Sequence, residues 1–511
     1  MSRYILVLNM GMKSIRSIVY DVSGEKLATA SLPIETYLDR EKVTQDPEEW
    51  WRKAVSVIRN SVNDIETKNI AYLTVTASSS CLVCVDKHCN ALEKCIMVSD
   101  RRAIAEADQI KGIRAFRDLY EKCGVSVDAS LMLPKILWIK NNQREIFDRT
   151  YKFLSPDDFL NARLTGRYVT DFFNARKIYY DNNLGRYPEK LLRELGINAA
   201  LLPEVLDMGE EIGCLTSAAA KDLGLSKAVK VILTTYDAIC NFFGSGVLKE
   251  GEASDASGTV TALRALSFKK DLASSSHAFT LPYKKWNMNI IGGSNNLGGG
   301  LIEWVKQCYY LNESYPYEIM EKDAYDAQLG AGGLTFLPYL LGERMPVWNS
   351  DARGVFFGIE RAHTRKEMTR AVFESTGFID LDMVNAIEET GMKVESIRLS
   401  GGLARINLIS QIKADVTGRD IIVLADFETT AAGAALLALV GTGEYQNVEE
   451  AAGAFVDIRM IIHPIHANHR KYMEIYKIYK ETYHNLEELF TERVKIMNSI
   501  YPKHEIRIAN M

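Results

Sequence analysis

Strand-like and helix-like segments alternate along most of this chain. The apolar runs 4–8 and 71–77 have the length and composition of buried strands. The segments 44–62 and 132–142 carry apolar residues at helical spacing, and the first of them begins with capping residues and Pro47. Because strands and helices follow one another in turn, the pattern predicts an α/β protein.

A strand–glycine–strand pattern occurs twice, about half a chain apart. Residues 4–30 predict a β-hairpin at the start of the chain. Residues 250–267 repeat the arrangement, with Gly258 and Thr259 between two strands. Two such hairpins, each opening an α/β half, indicate an internal structural duplication.

The length of 511 residues is too great for one core and predicts more than one domain. We place the boundary near residue 248, where the second hairpin begins. The predicted parts are an N-terminal lobe over 1–247, a C-terminal lobe over 248–490 and a polar tail over 491–511.

Composition and charge exclude several classes of partner. A hydrophobic content of 47% and a charged content of 25% are typical of a globular protein. The net charge of −5 gives no reason to expect a nucleic acid or an anionic membrane as partner. No apolar stretch reaches the roughly 18 residues of a membrane-spanning helix, and no signal-peptide cleavage site follows the first strand. We therefore expect a soluble, cytoplasmic protein.

Four of the eight cysteines, Cys81, Cys84, Cys89 and Cys95, are close together in the sequence. Such a cluster is compatible with a zinc or iron–sulfur site. The surrounding residues, however, are typical of a strand, in which Cys81 and Cys84 point to opposite faces. We favour the interpretation that these are buried, reduced cysteines that pack as small hydrophobic residues.

Glycine-bearing turns follow apolar strands at three places, Gly11, Gly258 and Gly401-Gly402. Glycine lets the backbone approach a ligand closely, and successive amide groups can surround anionic oxygens. Any one of these turns is more often plain turn chemistry than a site. Gly401 and Gly402 separate a strand from a helix N-terminus, which suits a nucleotide or, alternatively, close packing of the strand on the helix.

Asp237 lies at the carboxyl end of the buried strand 229–234, where α/β sheets place their ligands. It could accept the proton of a substrate hydroxyl, or it could cap the helix that follows. Asp100 and Arg102 likewise either bind the hydroxyls of a polyol or cap the next helix and lie on its surface. The residues alone leave both alternatives open and favour capping.

Several motifs resemble those of the FGGY family of carbohydrate kinases, over residues 4–490. The stretch GVFFGIERAHTRKEMTRAVFE fits one family signature throughout. KILWIKNN, around Lys135 and Trp138, fits the other, except that Met132 replaces the usual Pro, Ser or Thr. DPEEWW, PDDFLNARLTG, FLPYLLGERMP and ADVTG are similar to the xylulokinase branch in particular.

The resemblance implies a duplicated, two-lobed actin-like ATPase fold with a ribonuclease-H-like core in each lobe. It implies a small sugar or polyol bound to the first lobe and ATP with Mg²⁺ bound to the second, and a homodimer is also possible. In this picture Asp237 is the catalytic base, a sugar contact and a metal ligand. The further implied contacts are Ser79, Ser80, Asp100 and Arg102 for the sugar, and Gly11, Lys13, Ser14, Gly258, Thr259, Gly299, Gly401 and Gly402 for the nucleotide.

Departures from the family pattern fall where the chemistry is expected. The family's first hairpin begins Asp-x-Gly-Thr, whereas residues 9–12 read NMGM. Asn9 can orient a metal-bound water but contributes no charge, and a loss of this kind costs roughly 10–100-fold. Ser79 and Ser80 replace the Met-His pair with which xylulokinases contact the sugar, so the resemblance does not fix the substrate.

Two functional hypotheses follow. The favoured one is an ATP-dependent kinase of a ketopentose such as xylulose, or of a related polyol or sugar acid, because Asp237 and both glycine hairpins are retained. The alternative is a catalytically weakened relative that binds sugar or nucleotide and acts as a sensor. Asn9 and Met12 favour this second hypothesis.

Overall fold

The structure is a computed structural model that describes residues 3–123, 127–181, 184–273 and 275–501. Up to residue 248, strands and helices alternate as the apolar pattern predicts. The strands are β1 (Tyr4–Met10), β2 (Ser14–Asp21), β3 (Lys26–Pro33), β4 (Tyr37–Asp39), β5 (Lys42–Gln45), β6 (Ile70–Ala77), β7 (Val83–Val85), β8 (Cys95–Ile96), β9 (Lys152–Leu154), β10 (Val169–Asp171), β11 (Glu204–Leu206), β12 (Glu211–Cys214) and β13 (Lys230–Ile232). The helices are α1 (Pro47–Ser61), α2 (Ile104–Gly112), α3 (Arg114–Cys123), α4 (Met132–Asn142), α5 (Arg144–Arg149), α6 (Pro156–Thr165), α7 (Phe172–Ala175), α8 (Glu189–Glu194), α9 (Ser217–Leu223) and α10 (Asp237–Gly244).

The rest of the described chain continues the alternation with longer helices. Its strands are β14 (Glu252–Ser257), β15 (Thr261–Ser267), β16 (Phe279–Tyr283), β17 (Met288–Ser294), β18 (Thr335–Leu337), β19 (Val355–Phe357), β20 (Ser396–Ser400), β21 (Asp420–Leu424) and β22 (Ile458–Ile462). Its helices are α11 (Gly299–Tyr309), α12 (Pro316–Asp326), α13 (Arg365–Glu388), α14 (Asn407–Thr417), α15 (Thr429–Thr442), α16 (Val448–Phe455) and α17 (His466–Ile500).

The described chain divides into two compact units. The first contains the residues up to 248 together with 283–287 and 428–457, and the second contains the remainder. Residues 428–457, which lie within the predicted C-terminal lobe, therefore fold with the first unit. Of the predicted tail, 491–500 are the last turns of α17, and 502–511 lie outside the described residues.

The first unit is built on a six-stranded sheet of order β12-β13-β6-β1-β2-β3. β1, β2 and β3 are antiparallel, β6 and β13 run parallel to β1, and β12 is antiparallel to β13. The prediction of one hairpin over 4–30 is therefore wrong in strand number, because the chain reverses both after β1 and after β2. β1 is central and buried on both faces, which explains its continuous apolar run.

The second unit is built on a seven-stranded sheet of order β16-β17-β15-β14-β20-β21-β22. Here β14, β15 and β17 are antiparallel, β20 and β21 run parallel to β14, and β22 is antiparallel to β21. The order and directions repeat those of the first sheet, with β16 as an added edge strand. This confirms the duplicated α/β fold that the two hairpins predict.

Local signals in the sequence explain where the helices beside the first sheet begin. Asp46 caps α1 by accepting a hydrogen bond from the amide of Glu48, and Pro47 follows it. Ser155 and Asp158 form a capping box at the start of α6, and Gly166 ends that helix with a φ of +77°. These caps fix the N-terminal turn of α6, which contributes to the site described below.

Cys81, Cys84, Cys89 and Cys95 are buried and free. Their burial agrees with the interpretation that they pack as small hydrophobic residues. Within the ranges that the structure describes, no group of three or more His, Cys, Asp or Glu residues is placed to hold a metal ion. None of the helices in the same ranges combines the length and the hydropathy needed to cross a membrane.

Candidate active site

Three neighbouring parallel strands of the first unit, β1, β6 and β13, end at the same edge of the sheet. Asn9 is paired with Thr76 of β6, and the Thr76 hydroxyl donates to the carbonyl of Thr235, just beyond β13, at 2.8 Å. The backbone amide of Ser78 donates to the carbonyl of Met10 at 3.2 Å. Residues that follow the three strands are thereby held next to one another.

Asp237 is the first residue of α10 and lies at this edge. Tyr236 occupies the N-cap position, so Asp237 is not the capping residue. A carboxylate in the first turn still interacts favourably with the helix dipole. Its Oδ2 accepts a hydrogen bond from the Ser78 hydroxyl at 3.1 Å, and its side chain is only partly buried. Asp237 is therefore not closed off from solvent.

Asn174 links Ser79 to two buried carboxylates. Its Oδ1 accepts a hydrogen bond from the Ser79 hydroxyl at 3.3 Å. Its Nδ2 donates to Asp157 Oδ2 at 2.8 Å and to Asp171 Oδ2 at 2.7 Å. Asp171 Oδ1 in turn accepts from the Thr235 hydroxyl at 2.8 Å. This network fixes Ser79 relative to the chain segment that leads into α10.

The carboxylates of this network resist ionisation. Burial raises the pKa of Asp171 to about 6. Burial, together with the charge of Asp171, raises the pKa of Asp157 to about 7. Burial and the neighbouring Asp157 raise the pKa of Asp158 well above its usual range, and its buried Oδ1 has no hydrogen-bond partner in the described chain. Near neutral pH the cluster therefore carries less than its full formal charge.

Lys135 of α4 holds the turn that carries Ser79 and Ser80. Ser80 has a φ of +62°, and its carbonyl accepts a hydrogen bond from Lys135 Nζ at 2.6 Å. Lys135 also donates to the carbonyl of Ser130 at 2.8 Å and is completely buried. Burial lowers the pKa of Lys135 to about 8. The signature lysine thus acts on the site through the backbone of Ser80.

Asp100 and Arg102 are bonded to each other. The guanidinium of Arg102 donates to both carboxylate oxygens of the fully buried Asp100, at 2.9 and 2.8 Å. Asp100 also accepts from the backbone amide of Val43 at 2.6 Å, and Arg102 stacks on Trp138 at 4.9 Å. The pair closes the turn that precedes α2, and its contact with a sugar stays a prediction.

The first glycine hairpin exposes its backbone. The amide of Gly11 donates to the carbonyl of Ser14 at 3.0 Å, which closes the turn. A Cβ added at Gly11 would meet only Ser14 O, at 3.8 Å, and the side chain of Lys13 is exposed. The turn therefore has the open backbone and the cation that an anionic ligand needs.

The second glycine hairpin, in the other unit, is bound to the start of α11. The amide of Gly299 donates to the carbonyl of Gly258 at 2.7 Å, and the amide of Gly298 donates to the carbonyl of Thr259 at 2.8 Å. A Cβ at Gly299 would lie 2.6 Å from Gly258 O. Only glycine permits this approach of the helix to the hairpin.

Gly401 packs against the same hairpin. It has a φ of +86°, and a Cβ there would lie 2.5 Å from the carbonyl oxygen of Ser257. Its amide donates to the carbonyl of Phe427 at 3.2 Å, whereas Gly402 has open space around it. The structure thus brings the candidate nucleotide residues of the second unit together at the carboxyl ends of β14 and β20.

Asn174, Asp157 and Asp171 were not among the site residues predicted from the sequence. Ser79 and Asn174 are 95 positions apart, so no local pattern connects them. The one sequence feature that could have pointed to these three residues is the presence of polar side chains among apolar ones, in PDDFLNARLTG and VTDFFNA. Such residues are seldom buried unless other groups satisfy them.

Two family models match the chain. One is the N-terminal domain of the FGGY family of carbohydrate kinases, over residues 4–244. The other is the C-terminal domain of the same family, over residues 256–442.

Individual relatives match over nearly the whole chain. The sequence is 25% identical to the xylulose kinase of Staphylococcus xylosus, over 94% of this chain and 99% of that protein. The structure is similar to that of gluconate kinase from Lactobacillus acidophilus, with a TM-score of 0.89, 25% identity and coverage of 96% of this chain and 100% of that one. It is equally similar to ligand-bound xylulose kinase from Lactobacillus acidophilus, with a TM-score of 0.89, 25% identity and coverage of 96% and 99%.

Proposed function

This chain belongs to the FGGY family of carbohydrate kinases and is a sugar kinase, and we propose that Asp237 is the general base of its reaction. The observation that carries the proposal is the position of the Asp237 carboxylate. It is partly exposed at the shared carboxyl edge of β1, β6 and β13 and is hydrogen-bonded to Ser78.

In the proposed reaction the protein accepts a proton and positions the substrates. Asp237 accepts the proton of the attacking sugar hydroxyl, which becomes a stronger nucleophile toward the γ-phosphate of ATP. Ser79 and Ser80 orient the sugar, and the network through Asn174 holds Ser79 in place. Catalysis then depends on positioning and on stabilisation of charge.

The nucleotide is proposed to bind through backbone groups. Gly258, Thr259 and Gly299 form one glycine-lined cluster with Gly401 and Gly402 in the second unit. For the open turn of the first unit, Gly11 to Ser14, we separately propose that its own amide groups bind phosphate oxygens. Backbone amides at such turns suit phosphate oxygens, since they provide donors at no cost in side-chain entropy.

The side-chain oxygen atoms of Asp237 and Asn9, in the first unit, are of the chemical type that binds Mg²⁺. The carboxylate of Asp237 is a hard oxygen ligand of the kind that Mg²⁺ takes, usually together with water and substrate phosphates, and the carboxamide oxygen of Asn9 can orient one of those waters. Mg²⁺ bound there would neutralise charge on the phosphates. Asn9 would hold it through a water and would add no charge of its own.

The proposed acceptor is a ketopentose such as xylulose, or a related polyol or sugar acid. The relatives that support this range include both a xylulose kinase and a gluconate kinase, at the same identity and TM-score. Ser79 and Ser80 are small hydroxyl donors and acceptors, which suit a polyhydroxylated substrate.

A second candidate function is a catalytically weakened relative that senses sugar or nucleotide. One observation favours it, the replacement of the expected aspartate by Asn9 at the end of β1. In this alternative the chain binds its ligands but transfers phosphate too slowly to serve metabolism.

A coupled assay of ADP release separates the two functions. We would measure ATP turnover with ketoses, aldoses, polyols and sugar acids, against a blank without acceptor. The kinase proposal predicts that one acceptor class stimulates turnover well above the blank. It is contradicted if no acceptor stimulates turnover while the protein still binds ATP.

A further inference from the structure

Three ionisable side chains are completely buried in the second unit. Lys413 of α14 donates to Asp255 of β14 and to Asp380 of α13, with 2.6 Å between Nζ and Oδ2 in each pair. All three side chains have no exposed surface. We refer to Lys413, Asp255 and Asp380 as the buried triad.

Stability alone does not account for the buried triad. Removing a lysine and two carboxyl groups from water is costly, and burial together with Asp255 raises the pKa of Asp380 well above its usual range. Replacing such a group by well-packed apolar residues is often neutral or stabilising. Moreover, the Oδ1 atom of Asp380 is buried without a hydrogen-bond partner in the described chain. Burial lowers the pKa of Lys413, but the two carboxylates outweigh this and raise it, so the lysine stays charged.

The buried triad is bonded to the residue that precedes the second glycine hairpin. The hydroxyl of Ser257 donates to Asp255 Oδ1 at 2.7 Å, and Lys413 Nζ lies 3.1 Å from the same hydroxyl oxygen. Ser257 is the last residue of β14, and its carbonyl is the atom against which Gly401 packs. A shift of Ser257 would therefore move both glycine elements.

The buried triad also reaches the other side of the candidate nucleotide site. Lys413 lies on α14, the helix that follows Gly401 and Gly402. Its bonds to Asp255 thus join the helix after one glycine turn to the strand before the other. Asp380 adds α13 to the same connection and anchors the lysine from a third element.

We propose that the buried triad positions the nucleotide site of the second unit. It holds the Gly258–Thr259 hairpin and the Gly401–Gly402 turn in the arrangement that binds nucleotide. Lys413, Asp255 and Asp380 are positioning residues that act through Ser257. The proposal rests on the nucleotide site put forward under the proposed function.

Ser257→Ala tests the connection without burying an unpaired charge. It removes only the Ser257 hydroxyl, which bonds to Asp255 and Lys413 and lies 3.3 Å from the Thr261 hydroxyl oxygen, so we expect ADP to bind about 3–10-fold more weakly. Ser254→Ala is the matched control, because Ser254 is equally buried on β14 and its hydroxyl has no partner in the described chain. We expect this control to bind ADP as the wild type does.

The triple variant Asp255→Leu, Asp380→Leu, Lys413→Met separates positioning from stability. An apolar replacement removes the charges together, so we expect a thermal unfolding midpoint close to that of the wild type. The positioning role predicts that ADP nevertheless binds at least about 10-fold more weakly. A purely structural role would change the midpoint and not the affinity.

Isothermal titration with ADP, with and without Mg²⁺, measures both effects without a sugar. Wild-type affinity in Ser257→Ala, or in a folded triple variant, overturns the proposal. If the triple variant does not fold, Ser257→Ala against Ser254→Ala decides alone. A protein that binds ADP but phosphorylates no acceptor contradicts the proposed function and leaves this test intact, whereas a wild type that does not bind ADP overturns both.

Discussion

Single side chains around Ser79 determine how firmly the proposed sugar-binding side of the site is held. Asn174 uses both amide hydrogens on carboxylates and its oxygen on Ser79. Asn174→Ala removes the group that separates Asp157 from Asp171 and releases Ser79. We expect the KM for the sugar to rise on the order of 10–100-fold with the KM for ATP unchanged, since misplacement of a contact by about 1 Å can cost 100-fold.

Steady-state kinetics against both substrates check this prediction. Asn161→Ala is the control, because Asn161 of α6 is as deeply buried as Asn174 but its Oδ1 has no hydrogen-bond partner in the described chain. An equal change of sugar KM in both variants would assign the effect to the loss of a buried amide and not to the network.

Substitution of Asn9 is expected to improve the enzyme if this residue acts on the metal. Asn9→Asp adds the negative charge that the family places at this position, so Mg²⁺ should be held more tightly. We expect half-maximal activity at a lower Mg²⁺ concentration and a rate increased by roughly 10–100-fold. A Mg²⁺ titration of the turnover rate measures this, with ADP affinity in the absence of Mg²⁺ as the reference that should not change. An unchanged Mg²⁺ dependence would remove Asn9 from the metal argument.

Residues with a local signature could be predicted from the sequence, and residues with distant partners could not. Asp237 is predicted as a site residue because it follows a buried strand, and it lies at the carboxyl edge of the sheet, where α/β proteins bind ligands. The bond between Ser79 and Asn174 depends on the packing of separate elements, which no local spacing reports. Asp100 is a different case. It was predicted to bind the sugar, but in the structure its carboxylate already accepts hydrogen bonds from Arg102 and from the backbone amide of Val43.

At the scale of elements, the close approach of two glycine turns is the feature that supports a nucleotide site. Gly401→Ala introduces a Cβ 2.5 Å from Ser257 O at a φ of +86°. The turn must shift, so we expect ADP affinity to fall at least about 10-fold. Gly391→Ala is a matched control, because Gly391 has the same φ of +86° with no atom near the added Cβ.

Isothermal titration of both glycine variants with ADP gives the comparison. Strain from a positive φ is common to the two substitutions, since an L residue rarely adopts that conformation. Only the clash with Ser257 is specific to Gly401. Equal loss of ADP affinity in the two variants would contradict the role of this contact.

Elements were predictable where caps and periodicity agree. α4 has the predicted bounds of 132–142, and α1 begins beside the predicted capping residues. The sequence predicts two strands over 4–30, whereas the structure has three, because the chain reverses after β1 and again after β2. Turn residues show where a chain can reverse, but they do not show how many strands pair with one another.

At the scale of the whole molecule, the duplication could be predicted but the composition of the two units could not. The repeated hairpins reveal two related sheets. Residues 428–457 join the first unit through packing of α15 on α10. A Cβ at Gly244 would overlap the carbonyl of Thr429, and one at Gly433 would overlap that of Cys240. This contact joins parts of the chain about 190 positions apart, so only the folded structure reveals it.

The central claim is that Asp237 removes the proton from the sugar hydroxyl. Asp237→Asn keeps the size and the hydrogen bond from Ser78 but cannot accept that proton. The decisive measurement is sugar-stimulated ADP release by this variant and by the wild type, with ADP affinity determined on the same samples in the absence of Mg²⁺. The account predicts that turnover falls by about 10²–10⁴-fold while the Mg²⁺-free ADP affinity stays at the wild-type value. Full turnover in Asp237→Asn would contradict it.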